Sequence, residues 1–364
     1  MALHHFDLSP EILAALHRGT VIPAHPLALT AERQFDERHQ RALTRYYIEA
    51  GAGGLAVGVH ATQFAIREHG LYERVLGLAQ RTAADALKAL DRTQPLLMVA
   101  GLAGNTAQAI SEARTAVGLG YTFGLLSLSA LRGADPDALI EHCTAVAAEI
   151  PLIGFYLQTA VGGIDLPVTF WRRFAAIDNV VAVKVAPFNR YRTLDVVRGI
   201  VLAQAEDRVT LYTGNDDHIV LDLLTPLAVR RPRADGSLEE VRVHCRGGLL
   251  GHWSVWTQAA VRLFDRIADA RRSGLIDNDL LALDARVTDC NAALFDVANG
   301  FAGCIAGCHE VLRRQGLLQG NWCLNPAETL SPGQTAALDR VMREHPDLTD
   351  DAFVQARLAR WLAD

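Results

Sequence analysis

The first residue in this chain whose chemistry asks for a reason is a lysine inside an otherwise apolar strand. Lys184 stands in NVVAVKVAP, among Val181, Val183 and Val185. Of the 35 Lys and Arg residues only two are lysines. The other, Lys88 in TAADALKALDR, falls on an amphipathic stretch that gives it a solvated helix face. An ammonium loses hydration among valines, so burial lowers its pKa. A neutral lysine amine attacks carbonyl carbon, and the imine it forms is an electron sink beside which C–C bonds break or form. The alternative for such a residue is a structural lysine paired with a buried carboxylate.

Three other groups suit that chemistry. Tyr156 closes PLIGFYL, the apolar run before the lysine's own. A phenol beside Lys184 would carry protons while a carbinolamine forms and collapses; an ordinary strand-end tyrosine is the other reading. GVHATQF offers His60 and Thr62 as hydrogen-bonding groups, with backbone N–H groups that suit a carboxylate. TGNDDH places Gly214 where a side chain or ligand must come close, and Asn215 or Asp216 either meets substrate or caps the next helix. Cys304, Cys308 and His309 sit about one helical turn apart, too few ligands for a metal centre, and no metal is expected. HExxH, Walker and nucleophile-elbow motifs are missing from the sequence.

The elements that must position these groups recur at nearly regular spacing. Apolar runs fall at 21–26, 54–59, 95–101, 123–129, 151–157, 179–185, 208–214 and 247–253. Helical periodicity fills the intervals, as in FDERHQRALTRYYIEAG and PDALIEHCTAVAAEI. Eight near-continuous apolar strands alternating with helices predict an α/β fold of the (β/α)8 TIM-barrel type. An open doubly wound sheet would carry a Gly-rich phosphate loop after its first strand, and VIPAHPLALT has none. SPEILAALHRG predicts a short N-terminal cap helix beginning at Ser9-Pro10-Glu11. Asp235-Gly236, flanked by strand-like residues, predicts a β-hairpin inserted near 228–245, before strand 8. The barrel is expected to occupy 1–276, with 277–364 as a C-terminal helical extension.

Composition narrows the function classes. The net charge of −6 comes without a basic stripe, which argues against nucleic acid as a partner. No apolar run approaches the length that spans a bilayer, and MALHHFDLSPEILAAL does not read as a signal peptide. Six scattered cysteines fit a reducing cytoplasm better than a disulfide framework.

Taken in order, these segments resemble the dihydrodipicolinate synthase / N-acetylneuraminate lyase superfamily over roughly residues 19–345. GTVIPAHPLAL and the helix after it resemble the family's opening strand and helix. YERVLGLA is similar to its Glu-Arg signature, and LYTGNDD to its seventh-strand glycine loop. The resemblance identifies Lys184 as the Schiff-base lysine and Tyr156 as the family tyrosine. It implies a class I aldolase, dehydratase or condensing lyase acting on pyruvate or a related 2-oxo acid. It further implies no cofactor, and a homo-oligomer, either a dimer or a tetramer.

Departures from the pattern limit what carries over. The family's Gly-Thr-Thr-Gly-Glu loop corresponds to Val59-His60-Ala61-Thr62-Gln63, so the carboxylate would fall to main-chain amides at Ala61 and Thr62, with His60 in place of a hydroxyl. The arginine that synthases use for a second carboxylate falls on Val161, and LSLSAL replaces Pro-Tyr-Tyr after the fourth strand. Dihydrodipicolinate synthase activity itself is therefore not expected. The rival expectation is a barrel that binds a small ligand without turnover.

Overall fold

The structure, a computed structural model, describes residues 2–363. Eight parallel strands form the barrel: β1 (Val21–Pro23), β2 (Gly54–Val57), β3 (Leu97–Leu102), β4 (Phe123–Leu126), β5 (Leu152–Leu157), β6 (Val180–Ala186), β7 (Thr210–Thr213) and β10 (Cys245–Leu250). Their order is β1-β10-β7-β6-β5-β4-β3-β2, and a parallel bridge between Ala24 and Ala56 closes the ring. Each expected apolar run supplies one strand. The near-absence of polar residues follows from burial on both faces, by the barrel interior on one side and the helix ring on the other.

Helix starts are set locally. Asp36, Asn105, Asp135 and Asn189 each accept an N–H from two or three residues ahead, which satisfies a donor the helix itself cannot pair. The N-terminal helix Pro10–Arg18 begins at Ser9 as expected and closes the lower end of the barrel, where the Tyr212 hydroxyl donates to the Leu16 carbonyl at 2.9 Å.

Between the seventh and eighth barrel strands, β8 (Leu227–Pro232) and β9 (Leu238–Val243) form the expected antiparallel hairpin. Gly236 takes φ 84° at its turn, a conformation open to glycine at little cost. Beyond the helix Thr257–Ser273, the chain continues through the helices Asn278–Leu294, Cys304–Arg314 and Gln334–Glu344, whose apolar residues join the layer between strands and helices. Among the described residues no helix is long and apolar enough to cross a membrane.

Apolar side chains separate into two layers. Ile153, Phe155, Leu157, Ala182 and Ala186 belong to the barrel interior; Leu152, Tyr156, Val183 and Val185 pack outward against helices. This parity decides which strand residues can reach an active site.

A buried ion pair fastens the loop after β2. Arg67 and Glu112 meet at 2.8 Å, and the guanidinium also donates to the carbonyls of Gly58 and Gly101. Glu112 accepts from Gln108 and from the Ala103 amide as well. Removing the carboxylate strands a buried charge. Glu112→Ala is therefore expected to destabilise the fold by about 3–5 kcal/mol, read from urea unfolding. A loss below about 1 kcal/mol would show that water replaces the carboxylate.

Candidate active site

Lys184 projects into the barrel from β6 and is 7% exposed. A cavity with ≈ 60 Å³ of space for water opens at its amine, at the ends of the strands where they lead into the following loops. That is room for a very few waters or a compact organic acid. Gly214 makes the lysine's position possible: a Cβ there would lie 2.6 Å from Lys184 Cε and 2.7 Å from Ala186 Cβ. Burial pushes the Lys184 amine down to about 8, against the raising influence of Asp216 and Cys304.

Asp216, two residues beyond Gly214, lines the same cavity and is 4% exposed. Burial pushes its carboxyl up to about 7, opposed by the hydrogen bond from the His252 amide and by the Lys184 charge. That amide donates to Oδ1 at 2.9 Å, fixing the carboxyl's direction. An amine lowered and an acid raised in one cavity exchange a proton at little cost near neutral pH.

Asn215 does not reach the cavity. Its side chain accepts from the Phe188 amide at 3.0 Å and donates to Asp222 at 2.9 Å and Thr193 at 3.2 Å. Thr213 also donates to Asp222, at 2.6 Å, and Arg190 pairs with the same carboxylate. This cluster locks the loop that presents Asp216. Of the two readings for the TGNDDH segment, Asn215 takes a structural one and its neighbour faces the cavity.

The loop after β2 departs from expectation at one position. His60 and Ala61 line the cavity; Thr62 does not. The Thr62 hydroxyl donates to the His25 carbonyl at 2.6 Å and accepts from the Gly58 amide at 2.9 Å, while its own N–H goes to Val59 at 3.0 Å. Its hydrogen bonds hold the turn, leaving nothing for a ligand. Among the described residues the amides of His60 and Ala61 have no acceptor, so the pair open to a carboxylate lies one residue earlier than expected. Burial and the Lys184 charge push the His60 imidazole down to about 4, so it is neutral at physiological pH.

Tyr156 is also not at Lys184. Strand register pairs Phe155 with Lys184 and Tyr156 with Val185, so the phenol points away from the barrel axis. It packs against Trp171 with ring centroids 5.2 Å apart, and its hydroxyl accepts from the Leu166 amide at 3.3 Å. Phe155 occupies the cavity position instead, with Lys184 Nζ 4.4 Å from its ring centroid. The expected proton relay through Tyr156 therefore has no path to the amine.

The cavity's remaining walls are mostly apolar. Leu157 ends β5 and Val161 lies in the loop after it. Phe188, which follows β6 at φ 52°, packs against Phe301 with ring centroids 5.8 Å apart and planes tilted by 60°. Phe295, Phe301 and Cys304 belong to the C-terminal helical region. That region is tied to the loop after β2 by Gln63, whose side-chain oxygen accepts from the Leu324 amide at 2.6 Å. Sequence reasoning left Phe155, Phe188, Phe295 and Phe301 unassigned. A signal for Phe155 existed in the two-residue alternation along β5 read against Lys184 on β6.

Comparisons with known proteins bear on the fold and the family. The chain is 24% identical over 182 residues to a 4-hydroxy-tetrahydrodipicolinate synthase of Persephonella marina, a match covering 48% of this chain and 59% of that relative, less than two thirds of its length. By fold it superposes on a dihydrodipicolinate synthase from Acinetobacter baumannii solved with pyruvate, with a TM-score of 0.71 at 18% identity, covering 91% of this chain and 98% of the other. An N-acetylneuraminate lyase from Fusobacterium nucleatum gives 0.67 at 14% identity, covering 90% and 99%. The profile of the dihydrodipicolinate synthetase family matches residues 18–226, more than half of the chain, and the protein belongs to that family.

Proposed function

We propose that this protein is a lysine-dependent lyase that forms an imine between Lys184 and a small 2-oxo acid. The observation that carries the reading is the pair of Lys184 and Asp216 on one buried cavity, the amine brought down to about 8 and the carboxyl up to about 7. Family membership supports the reaction class.

The neutral Lys184 amine adds to C2 of the oxo acid. Its lone pair forms the C–N bond, and the carbonyl π pair moves to oxygen. One amine proton passes to that oxygen and Asp216 supplies the second, so water leaves and a protonated imine remains. The iminium then accepts the electrons released at C3 by deprotonation or by C3–C4 cleavage. Asp216, now a carboxylate, takes a proton from the substrate. The amides of His60 and Ala61 hold the acid's carboxylate. Neutral His60 donates or accepts a hydrogen bond without adding charge. Phe155 shields the amine from water at the position from which a tyrosine would have relayed protons.

Borohydride reduction in the presence of pyruvate and a panel of 2-oxo acids tests this directly. The expected product is a stable adduct on the peptide carrying Lys184, absent in Lys184→Met. A ligand-induced rise in melting temperature with no trappable adduct over the whole panel would replace the reading with that of a non-catalytic binding barrel, which the phenylalanine at position 155 favours. As an enzyme of this kind the protein is taken to act as a homo-oligomer in the cytoplasm, without a resident cofactor.

A further inference from the structure

A second concave site lies at the opposite end of the barrel, where β1, β2 and β10 begin. This cleft has a volume of ≈ 800 Å³ and is bounded by the N-terminal cap helix on one side and the helix Thr257–Ser273 on the other. Arg18, Arg92, His244, Arg246, Arg271 and Arg272 line it. The protein as a whole carries a net charge of −6, so this concentration of cations is not a property of the general surface.

Several of these cations lack a compensating acid. Among the described residues Arg18 and Arg246 make no ion pair and no side-chain hydrogen bond. Arg271 spends one donor on the Cys245 carbonyl at 3.2 Å, which places it beside His244 and Arg246. Gly19 lies so close to Arg246 that a Cβ would sit 2.1 Å from the Arg246 carbonyl oxygen, so Arg18 and Arg246 start from adjoining backbone. The His244 Nδ1 is buried without a hydrogen-bond partner. Arg92 is occupied by the carbonyls of Ile48 and Ala52, and Arg272 by Asp269. One carboxylate, Asp265, is on the lining, held above its ordinary pKa by burial and by Asp269. Burial holds His244, Arg271 and His17 below their usual ranges, and like charge adds to it: Arg271 and Arg246 at His244, Arg246 at Arg271 and His17. Like charges gathered without partners are costly unless something of opposite sign meets them.

The hairpin insertion builds one wall. Pro226 and His244, the residues flanking β8 and β9, both face the cleft. A minimal barrel would join its seventh helix to its eighth strand without them. We infer that this cleft is a binding site for a phosphate-bearing small molecule, with the oxyanion received by Arg18, Arg246, Arg271 and His244. Planar guanidinium forks match the oxygens of phosphate, and an imidazole with an unused nitrogen supplies a further donor. A nucleic acid would need cations spread along an extended surface rather than gathered in one concavity. The apolar side chains Val261, Phe264 and Ile276 on the same lining suit an organic ester, while the arginines alone suit inorganic phosphate.

Calorimetric titration of the full-length protein with inorganic phosphate, at constant ionic strength, tests the site. Saturable binding at one site per chain is expected. Arg18→Gln and Arg246→Gln should each weaken it about tenfold or more, since a charged hydrogen bond is lost. Both arginines are exposed and unpaired, so their melting temperatures without phosphate should match the wild type. His244→Gln provides an independent variant from another element. Tighter binding of phenyl phosphate assigns the apolar wall to an ester, and equal binding assigns the site to free phosphate. Lys184→Met should bind as the wild type does. Absence of saturable binding overturns the inference, as does retention of full affinity in both arginine variants. Loss of binding in Lys184→Met also overturns it, because the anion would then be in the catalytic cavity.

Discussion

Asp216→Asn is expected to lower turnover by about 10²–10⁴-fold while leaving Lys184 able to form a trappable imine. Asparagine keeps an oxygen for the His252 amide, so the loop and its orientation survive. What disappears is the proton that lets the carbinolamine oxygen leave as water, and the base that later takes a proton from substrate. The pH dependence separates this role from a structural one. In the wild type, adduct formation should rise as pH passes through about 8, where the Lys184 amine gives up its proton. The Asp216 charge is the larger of the two influences that hold that pKa up against burial. Without it desolvation acts with less opposition, and the midpoint must move to lower pH. The variant should thus trap pyruvate at a lower pH than the wild type, yet turn over far more slowly at every pH. A midpoint that stays in place would detach Asp216 from Lys184 and end the assignment.

Strand order, the cap helix and the hairpin were legible because each rests on a local signal: apolar runs, a Ser-Pro-Glu helix start and an Asp-Gly turn. The burial of Lys184 was legible for a related reason, since its position in a wholly apolar strand leaves its charge little access to water. Tyr156 shows where such signals fail. LIGFYL is apolar throughout because both faces of a parallel barrel strand are buried, so hydrophobicity does not tell inward from outward. Facing must come from the neighbouring strand's register, and Phe155 is the residue level with Lys184. A one-residue error in a strand exchanges the barrel axis for the helix layer.

The loops were partly legible for a different reason. Gly214 and His60 line the cavity, but Thr62 and Asn215 are polar residues whose hydrogen bonds close their own turns. Polarity in a loop marks either a ligand contact or the internal bonding that shapes the loop, and composition does not separate the two. The aromatic roof was the least legible part. Phe295 and Phe301 reach the cavity from a helical region remote in sequence, through contacts that leave no periodic trace.

That roof sets the largest expected difference between substrates. A 2-oxo acid with a short apolar remainder should exceed one of equal length ending in a second carboxylate by about 10²-fold or more in kcat/KM. Beyond Lys184, the cavity's polar side chains among the described residues are His60, Gln158, Asp216 and Cys304, with no arginine among them. A second carboxylate would leave water for walls made of Leu157, Val161, Phe188, Phe295 and Phe301, at a cost of about 3 kcal/mol or more. Asp216 would repel it as well. A short apolar group would gain contact with the Phe188–Phe301 pair instead. Phe301→Ala should therefore raise KM for the apolar substrate about tenfold with little change in kcat, the pattern of a contact made equally in ground and transition states. Val161→Arg should act in the opposite sense, improving the dicarboxylate and harming the apolar acid. The measurement is kcat/KM for matched substrate pairs in the wild type and both variants. A wild-type preference for the dicarboxylate would show that charge reaches solvent past Phe301. The aromatic wall would then be a lid over the substrate's carboxylate rather than its binding surface.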